Sequence, residues 1–392
     1  MSLPEFFIGL RQAVIEARYL WLPVILFLIF WGLWLYYIRA RFISKLDWTL
    51  LEIKLPREIT KSPKAMEIVL NMLHQTRDGN LYERYWLGWL RAWFSLEIAS
   101  INGEVRFFIY TQRFFRNLVE AQIYAQYPDV EITEVDDYTK MTFTDGFDKD
   151  WGCWGTEFDL TAEDAYPIKT YVDYGLHELA TKEEQKNDPI TSMIEFLGSL
   201  KEGEQVWLQI LVRATKKDWK EEGKKLVDKI MKEAKGEPKE GEIEMGIFKL
   251  TPGQTEVIKA IERDVSKLGF DVGIRVMYLA RKDKFNNVNK VSIIGVMKQF
   301  NALNLNGFKP VRLSDLDYQW QLKKIRDPIR RKKILDAFRQ RSYFYPPYDH
   351  TSFILNTEEL ATIFHFPGRV AETPTLGRIE AKKGEPPPNL PI

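Results

Sequence analysis

Leu20 to Ile38 is a run of nineteen residues without a charge. At 1.5 Å of rise per residue, a helix of that length covers about 30 Å, the thickness of a bilayer's hydrocarbon core. Trp21 stands at one end and Trp34, Tyr36 and Tyr37 at the other, where aromatic belts meet the two membrane interfaces. A buried core helix would carry a polar stripe, and this run has none. A cleaved signal peptide would be shorter and end in small residues, whereas Arg39, Arg41 and Phe42 follow here. The segment therefore reads as an uncleaved membrane-spanning helix over 20–38.

Flanking charge sets the expected orientation. Residues 1–19 hold two cations, Arg11 and Arg18, while residues 39–58 hold five: Arg39, Arg41, Lys45, Lys54 and Arg57. The positive side stays inside. Residues 1–19 then form a short extracytoplasmic segment, and the C-terminal bulk is cytoplasmic at the cell membrane. That bulk is close to neutral, since the whole chain has a formal net charge of +1. A dedicated duplex-DNA binder would be far more basic.

The remainder reads as α+β. Leu51, Ile53 and Leu55 alternate with polar residues as a strand, and Ser62-Pro63 opens a helix with Met66, Val69, Leu70 and Leu73 on one face. Phe94, Leu96 and Ile98 alternate with Ser95 and Glu97, and Val105, Phe107 and Ile109 repeat the pattern after Asn102-Gly103, a strong hairpin signal. A helix over about 112–126 and a strand over 130–135 complete the order βαββαβ of a ferredoxin-like domain over 46–140. The same order recurs over 156–315: strand material at 157–160 and 166–172, a helix capped by Asp188-Pro189, strands at 206–212 and 270–278, a helix near 289–303 and a strand near 307–312. A helical insertion at 216–268 separates the middle strands, with one helix bearing Trp219, Leu226 and Ile230 and another opened by Thr251-Pro252. The expected architecture is one transmembrane helix and two tandem ferredoxin-like domains. A basic helix and aromatic segment follow over 323–348. Beyond them, 349–392 reads as a strand, a short helix over 356–364 and an extended tail rich in proline (Pro386, Pro387, Pro388, Pro391).

Catalytic signatures are scarce. No G-x-x-x-x-G-K-[ST] phosphate loop occurs, and Gly223-Lys224 lies inside a charged helical run. No G-x-S-x-G elbow is present. Cys153, the one cysteine, sits in Trp151–Gly155, read as a loop, and as a small buried residue rather than a nucleophile. It excludes an internal disulfide and cysteine-based metal cages, and the four histidines have no metal-ligand spacing. Glu131, Glu134, Asp136 and Asp137 divide between the two faces of a strand and read as an acidic solvated end. The expectation is a protein with no catalytic, cofactor or metal residues.

Binding chemistry is better represented. Residues 323–341 carry nine cations, Lys323, Lys324, Arg326, Arg330, Arg331, Lys332, Lys333, Arg339 and Arg341, against Asp327 and Asp336. Tyr343, Phe344, Tyr345 and Tyr348 follow. Cations beside aromatics suit single-stranded nucleic acid, and the same cations suit anionic lipid headgroups. The bland reading is a solvated helix face with Ile329, Ile334 and Phe338 turned inward.

Several segments together resemble a known group: Leu51–Glu58, Phe94–Ile98, Val105–Ile109, Tyr124–Pro128, Asp188-Pro189, Gly203–Ile210, Gln299–Pro310 and Leu355–Pro367. The series is similar to the non-catalytic N-terminal region of membrane-associated type IV secretion and conjugation-like DNA-transfer proteins, which commonly precedes a HerA/FtsK-like P-loop ATPase domain. The resemblance implies a stand-alone version without the ATPase, and no catalytic residue carries over. In fused relatives the stretch matching Leu355–Pro391 leads into the ATPase core. Here the resemblance implies an ATPase supplied in trans and docked through the tail, at Glu358, Glu359, Phe364, Phe366 and Arg369. Single-stranded DNA and a second copy of the chain are further expected partners. A membrane-tethered nucleic-acid binder acting without an ATPase is the alternative.

Overall fold

Runs of alternating apolar residues form the strands expected of them, and all these strands join one sheet. The computed structural model describes residues 16–56, 59, 61–141, 150–177, 188–235, 250–315, 323–368 and 378–379. The chain divides into two compact units. The smaller holds the first helix together with residues 77–91 and 345–347, and the larger holds the sheet.

In the smaller unit α1 spans Arg18–Lys45, longer than the apolar run because Arg39–Lys45 continue the helix. Among the described residues it is the one helix long and apolar enough to cross a membrane. Residues 77–91 lie along it and include α3 (Leu81–Tyr85), whose N-terminus carries a capping box between Asn80 and Glu83. Gly88 has φ of +74°, and a Cβ there would overlap the Ile38 carbonyl oxygen. Only glycine permits so close an approach to a helix backbone.

The larger unit contains two sets of strands. β1 (Trp48–Pro56), β2 (Phe94–Ile101), β3 (Glu104–Gln112) and β4 (Glu131–Val135) form the first, in the order β4-β1-β3-β2. Helices α2 (Lys64–Met72) and α4 (Arg116–Gln126) connect them, and a short helix α5 (Tyr138–Met141) follows. β5 (Trp151–Leu160), β6 (Glu204–Ala214), β7 (Gly269–Arg281) and β8 (Phe308–Val311) form the second, in the order β6-β7-β5-β8. Their helices are α6 (Pro189–Gly198) and α9 (Asn287–Met297), with α7 (Trp219–Lys235) and α8 (Pro252–Val265) in the insertion. The two sets do not stand apart as separate sheets. β2 pairs antiparallel with β6 along its whole length, from Phe94 opposite Val212 to Ile101 opposite Gln205.

One face of this sheet is apolar and buried under helices. Leu96, Ile98, Leu208, Ile210, Ile274, Val276 and Phe158 meet Met66, Val69 and Leu70 of α2, Val119 and Ile123 of α4, Ile190 and Ile194 of α6, and Ile293 and Met297 of α9 in one core. The opposite face is covered by α10 (Lys323–Arg339) through Ile334, Leu335 and Phe338. Helix α10 carries Pro328 inside its second turn.

Two expectations are corrected. Trp151–Gly155 is the first half of β5, with each residue opposite β7 from Arg281 to Met277. Residues 166–172 are turns rather than a strand, because their amides bond side chains: Ile168 N donates to Glu359 and Tyr171 N to Thr362. The described part of the segment after 349 forms a strand and a short helix. β9 (Phe353–Asn356) pairs with β7, and α11 (Thr357–Ile363) is buried along its whole length. Phe364 and Phe366 then pack edge-on against Phe107 of β3, and Phe366 also against Tyr127. One short stretch thus touches both strand sets. A two-residue strand β10 (Arg378–Ile379) pairs parallel with β1. The proline-rich end, 381–392, lies outside the described residues.

Burial on this scale makes 353–366 part of the core. Phe364→Ala should destabilise the protein by about 3–5 kcal/mol, and deletion of 351–392 should prevent folding. Circular-dichroism melts of full-length protein in detergent check both. A cooperative, wild-type-like transition in the deletion would place the segment outside the folding unit.

Candidate functional site: a buried ionic rung beneath the basic helix

Side chains on a strand alternate between faces, so register decides which polar residues meet. On the face beneath α10, Glu52, Phe108, Glu97, Gln209, Arg275 and Glu157 are successive Cα partners across five neighbouring strand pairs. Glu97, Gln209, Arg275 and Glu157 are all buried. The sequence gives this face polar residues, and the structure covers them instead of leaving them in water. Buried charge at such density demands partners.

Arg341, just past the end of α10, is the partner for one end. Its guanidinium is fully buried and donates to Glu97 through Nε at 3.0 Å and Nη2 at 3.1 Å. Asp137 takes two further bonds and the Arg339 carbonyl another. Glu97 is completed by Ser95 Oγ, Tyr138 Oη and Gln209 Nε2 at 2.7–2.9 Å. Burial opposes the charge on Arg341, but Glu97 and Asp137 outweigh it and raise its pKa well above the ordinary value. Burial also opposes ionisation of Asp137, and Arg341 nonetheless holds that carboxyl below the usual range. The guanidinium lies 4.3 Å from the centre of the Tyr110 ring.

Glu157 anchors the other end. Arg312 donates to it at 2.7 Å and His350 Nδ1 lies at 2.9 Å. Burial pushes Glu157 up, but His350, Arg275 and Arg312 together hold it below the ordinary carboxylate value. Arg275, between the two acids, donates to the Ser342 carbonyl at 2.6 Å, and burial lowers its pKa. Tyr343 closes the row by lying on Gly273, where a Cβ would overlap its ring. A cavity of about 240 Å³ opens beside Glu157, lined among others by Arg312, Arg330, Lys333, Ile334 and His350. Arg312 is already paired with Glu157, Arg330 is half-buried and Lys333 is exposed. Ser314 also lines the cavity, but its Oγ accepts from Gly155 N at 2.9 Å and makes no hydrogen bond to His350. No nucleophile–base pair is assembled there.

The predicted contact residues separate. Lys332 and Lys333 are exposed on α10 with Arg326 and Ile329, while Arg330 and Arg331 are half-buried. For Lys323 and Lys324 only the backbone is described. Tyr343 is 1% exposed and offers no face to a base, and Tyr345 is half-buried in the smaller unit with its hydroxyl on the Arg91 carbonyl. Arg341 points into the sheet, opposite to its reading as part of a solvated basic run. The acidic cluster does not converge: Glu134 pairs with Arg113 and Arg116, Glu131 with Lys54, and Asp137 with Arg341. Among the described residues, no group of three or more His, Cys, Asp or Glu could hold a metal ion.

The residues expected to dock an ATPase are interior. Glu358, Glu359, Phe364 and Phe366 are all buried, and Arg369 lies outside the described residues. Glu358 pairs with Lys267 at 2.8 Å and Arg263 at 3.3 Å, tying α11 to the insertion helix α8 and its end. Glu359 caps its own helix with Asn356 and accepts from Ile168 N. Asp264 of α8 sits beside it, bonded to the Asn356 amide. Burial, reinforced by Glu359 and Glu358, pushes Asp264 well above its usual value, and burial pushes Glu359 to about 8. Both carboxyls of this buried pair are held toward the protonated form. Charge in the sequence had suggested exposure, and only these long-range partners reverse that reading.

The model of the family described as "Domain of unknown function (DUF8128)" matches residues 42–378. No curated protein matches the chain.

Removing one member of a buried ion pair strands the other, so Arg341→Met should cost about 3–5 kcal/mol. The double variant Arg341→Met/Glu97→Gln should recover part of that loss in denaturant melts, and additive losses would mean that the two do not interact. Protonation of the Asp264–Glu359 pair makes stability pH-dependent. Unfolded carboxyls lose their protons near pH 4, so the stabilisation is full below about pH 4 and is lost as pH rises through the folded-state value near 8. Asp264→Asn should fold and flatten the fall in melting temperature between neutral and alkaline pH. An unchanged slope would remove the pair from the account.

Proposed function

The chain belongs to the DUF8128 family, and we propose that it is a non-enzymatic, membrane-anchored platform of a type IV secretion- or conjugation-like transfer apparatus that recruits a separate P-loop ATPase. The observation that carries this reading is α10. Its apolar face is sealed on the sheet by Ile334, Leu335 and Phe338, while Arg326, Ile329, Lys332 and Lys333 face solvent. A helix clamped in this way presents a fixed cationic surface to an acidic partner. Because Glu358, Glu359, Phe364 and Phe366 are interior, the recruiting surface in this reading is α10 rather than the segment after 355.

Helix α1 is the single span, with its N-terminus outside and the larger unit cytoplasmic, on the strength of the excess of Lys and Arg after the apolar run. The two strand sets are two ferredoxin-like domains joined edge to edge, a reading supported by the orders β4-β1-β3-β2 and β6-β7-β5-β8. The non-enzymatic part rests on the missing phosphate loop. A second reading, a membrane-tethered binder of single-stranded nucleic acid, draws on the same exposed lysines, with its stacking component weakened by the burial of Tyr343.

In-cell crosslinking and mass spectrometry on tagged full-length protein separate the two. The platform predicts crosslinks from Lys332 or Lys333 to a P-loop ATPase, and loss of that ATPase from the purified complex in Lys332→Glu/Lys333→Glu with the fold intact. Abundant crosslinks from these lysines to other proteins, and none to an ATPase, would contradict it. The nucleic-acid reading predicts oligonucleotide binding whose log–log salt slope drops by about 1.4 when both lysines are neutralised. Absence of binding at low salt would end that reading.

A further inference from the structure

Residues 81–89 place large apolar side chains on the surface of the smaller unit, where α3, a helix of five residues, cannot bury them. Leu81 is 71% exposed, Tyr82 62%, Trp86 57% and Leu87 52%. Nothing about the segment is loose. Trp34 Nε1 of α1 donates to the Tyr85 carbonyl at 2.9 Å, and the Trp34 ring meets Trp86 edge-on at 5.6 Å. Tyr85 lies 5.9 Å from Trp31, Gly88 touches the Ile38 carbonyl, and Trp89 lies 5.5 Å from Phe42. The segment therefore runs alongside α1 from Trp31 to Phe42, in the same direction as the helix.

That track fixes its depth. Trp34 precedes Arg39, the first cation after the apolar run, by five residues, or about 7.5 Å along the axis. Aromatic residues at that distance from the charged end occupy the headgroup level of a spanning helix. Phe30, Leu33, Tyr36 and Tyr37 of α1 are also exposed at this end, so the apolar surface of 81–87 continues that of the helix. Arg84 is exposed on this segment, 5.7 Å from the centre of the Tyr85 ring, a pairing of cation and aromatic side chains suited to lipid phosphates at the acyl boundary, while the neighbouring Arg77 pairs with Glu83.

We propose that residues 81–89 form a second membrane contact, seated in the boundary between headgroups and acyl chains of the lipid bilayer. The proposal rests on α1 as a membrane span and adds a function to a connection that carried none. An interfacial side contact fixed to the helix sets its depth and the direction of its tilt in the bilayer.

The test uses full-length protein with Cys153→Ser, reconstituted in vesicles of phosphatidylcholine and phosphatidylglycerol. Spin labels are placed singly at Leu87→Cys, Tyr82→Cys and, within α1, Phe27→Cys, and collision with oxygen is compared with collision with a water-soluble nickel chelate. The expected result is lipid-like behaviour, high oxygen and low nickel collision, at all three sites, with Leu87 and Tyr82 shallower than Phe27. A lipid-like Phe27 with nickel-accessible Leu87 and Tyr82 would overturn the second contact and leave the span standing. Nickel access at Phe27 would overturn the span, and the second contact with it.

Discussion

The architecture depends on a guanidinium that cannot be left alone. Arg341 is fully buried, has φ of +49° and spends its donors on Glu97, Asp137 and the Arg339 carbonyl. Hydrophobic residues of the same volume can match a buried ion pair in stability, but they accept many orientations, whereas a two-acid clamp accepts one. Glu97 sits near the middle of the sheet on β2, the strand that joins the two sets, and Asp137 lies just after β4. A single side chain thus ties the end of α10 to the seam between the strand sets and to the edge of the first. The positions of Tyr343, on Gly273, and of the Ser342 carbonyl, on Arg275, follow from that attachment.

The other face of the sheet is held by the same kind of device. Glu358 and Glu359 draw Lys267, Arg263, Asn356 and the Ile168 amide around α11, and Phe364 and Phe366 complete its contact with the first strand set. Two late segments of the chain, one on each face, thereby lock strands laid down much earlier. In the proposed platform a sheet clamped on both faces serves as a rigid support. That rigidity is what gives the outward cations of α10 a defined place.

Local grammar made the early elements legible. Asn102-Gly103 adopts φ of 56° and 87° at the tip of the β2–β3 hairpin, Asp188 caps α6 ahead of Pro189, and Thr251 caps α8 ahead of Pro252. Those signals act within a few residues. The failures involve partners distant in sequence, from about 50 to more than 200 residues away. Nothing near Glu97 in sequence points to its partner Arg341, and Glu358 and Glu359 looked exposed because their partners lie at the end of the insertion and before it. Tyr166–Val172 looked like a strand, yet the amides of Ile168 and Tyr171 bond α11 side chains. Trp151–Gly155 looked like a loop because two glycines suggested one, yet Gly152 and Gly155 make room for Phe285, Met277 and Ile334 packed on the strand. For residues 77–91 the sequence offered aromatic content and no sign of their docking on α1.

The central claim is that Arg341 fastens a basic helix onto a preformed sheet. Hydrogen exchange on full-length protein in detergent, wild type against Arg341→Met, tests it at the level of single segments. The account predicts that amides of 326–339 lose most of their protection while β6 and β7 keep theirs. Unchanged protection in α10, or equal loss across the sheet, would contradict it.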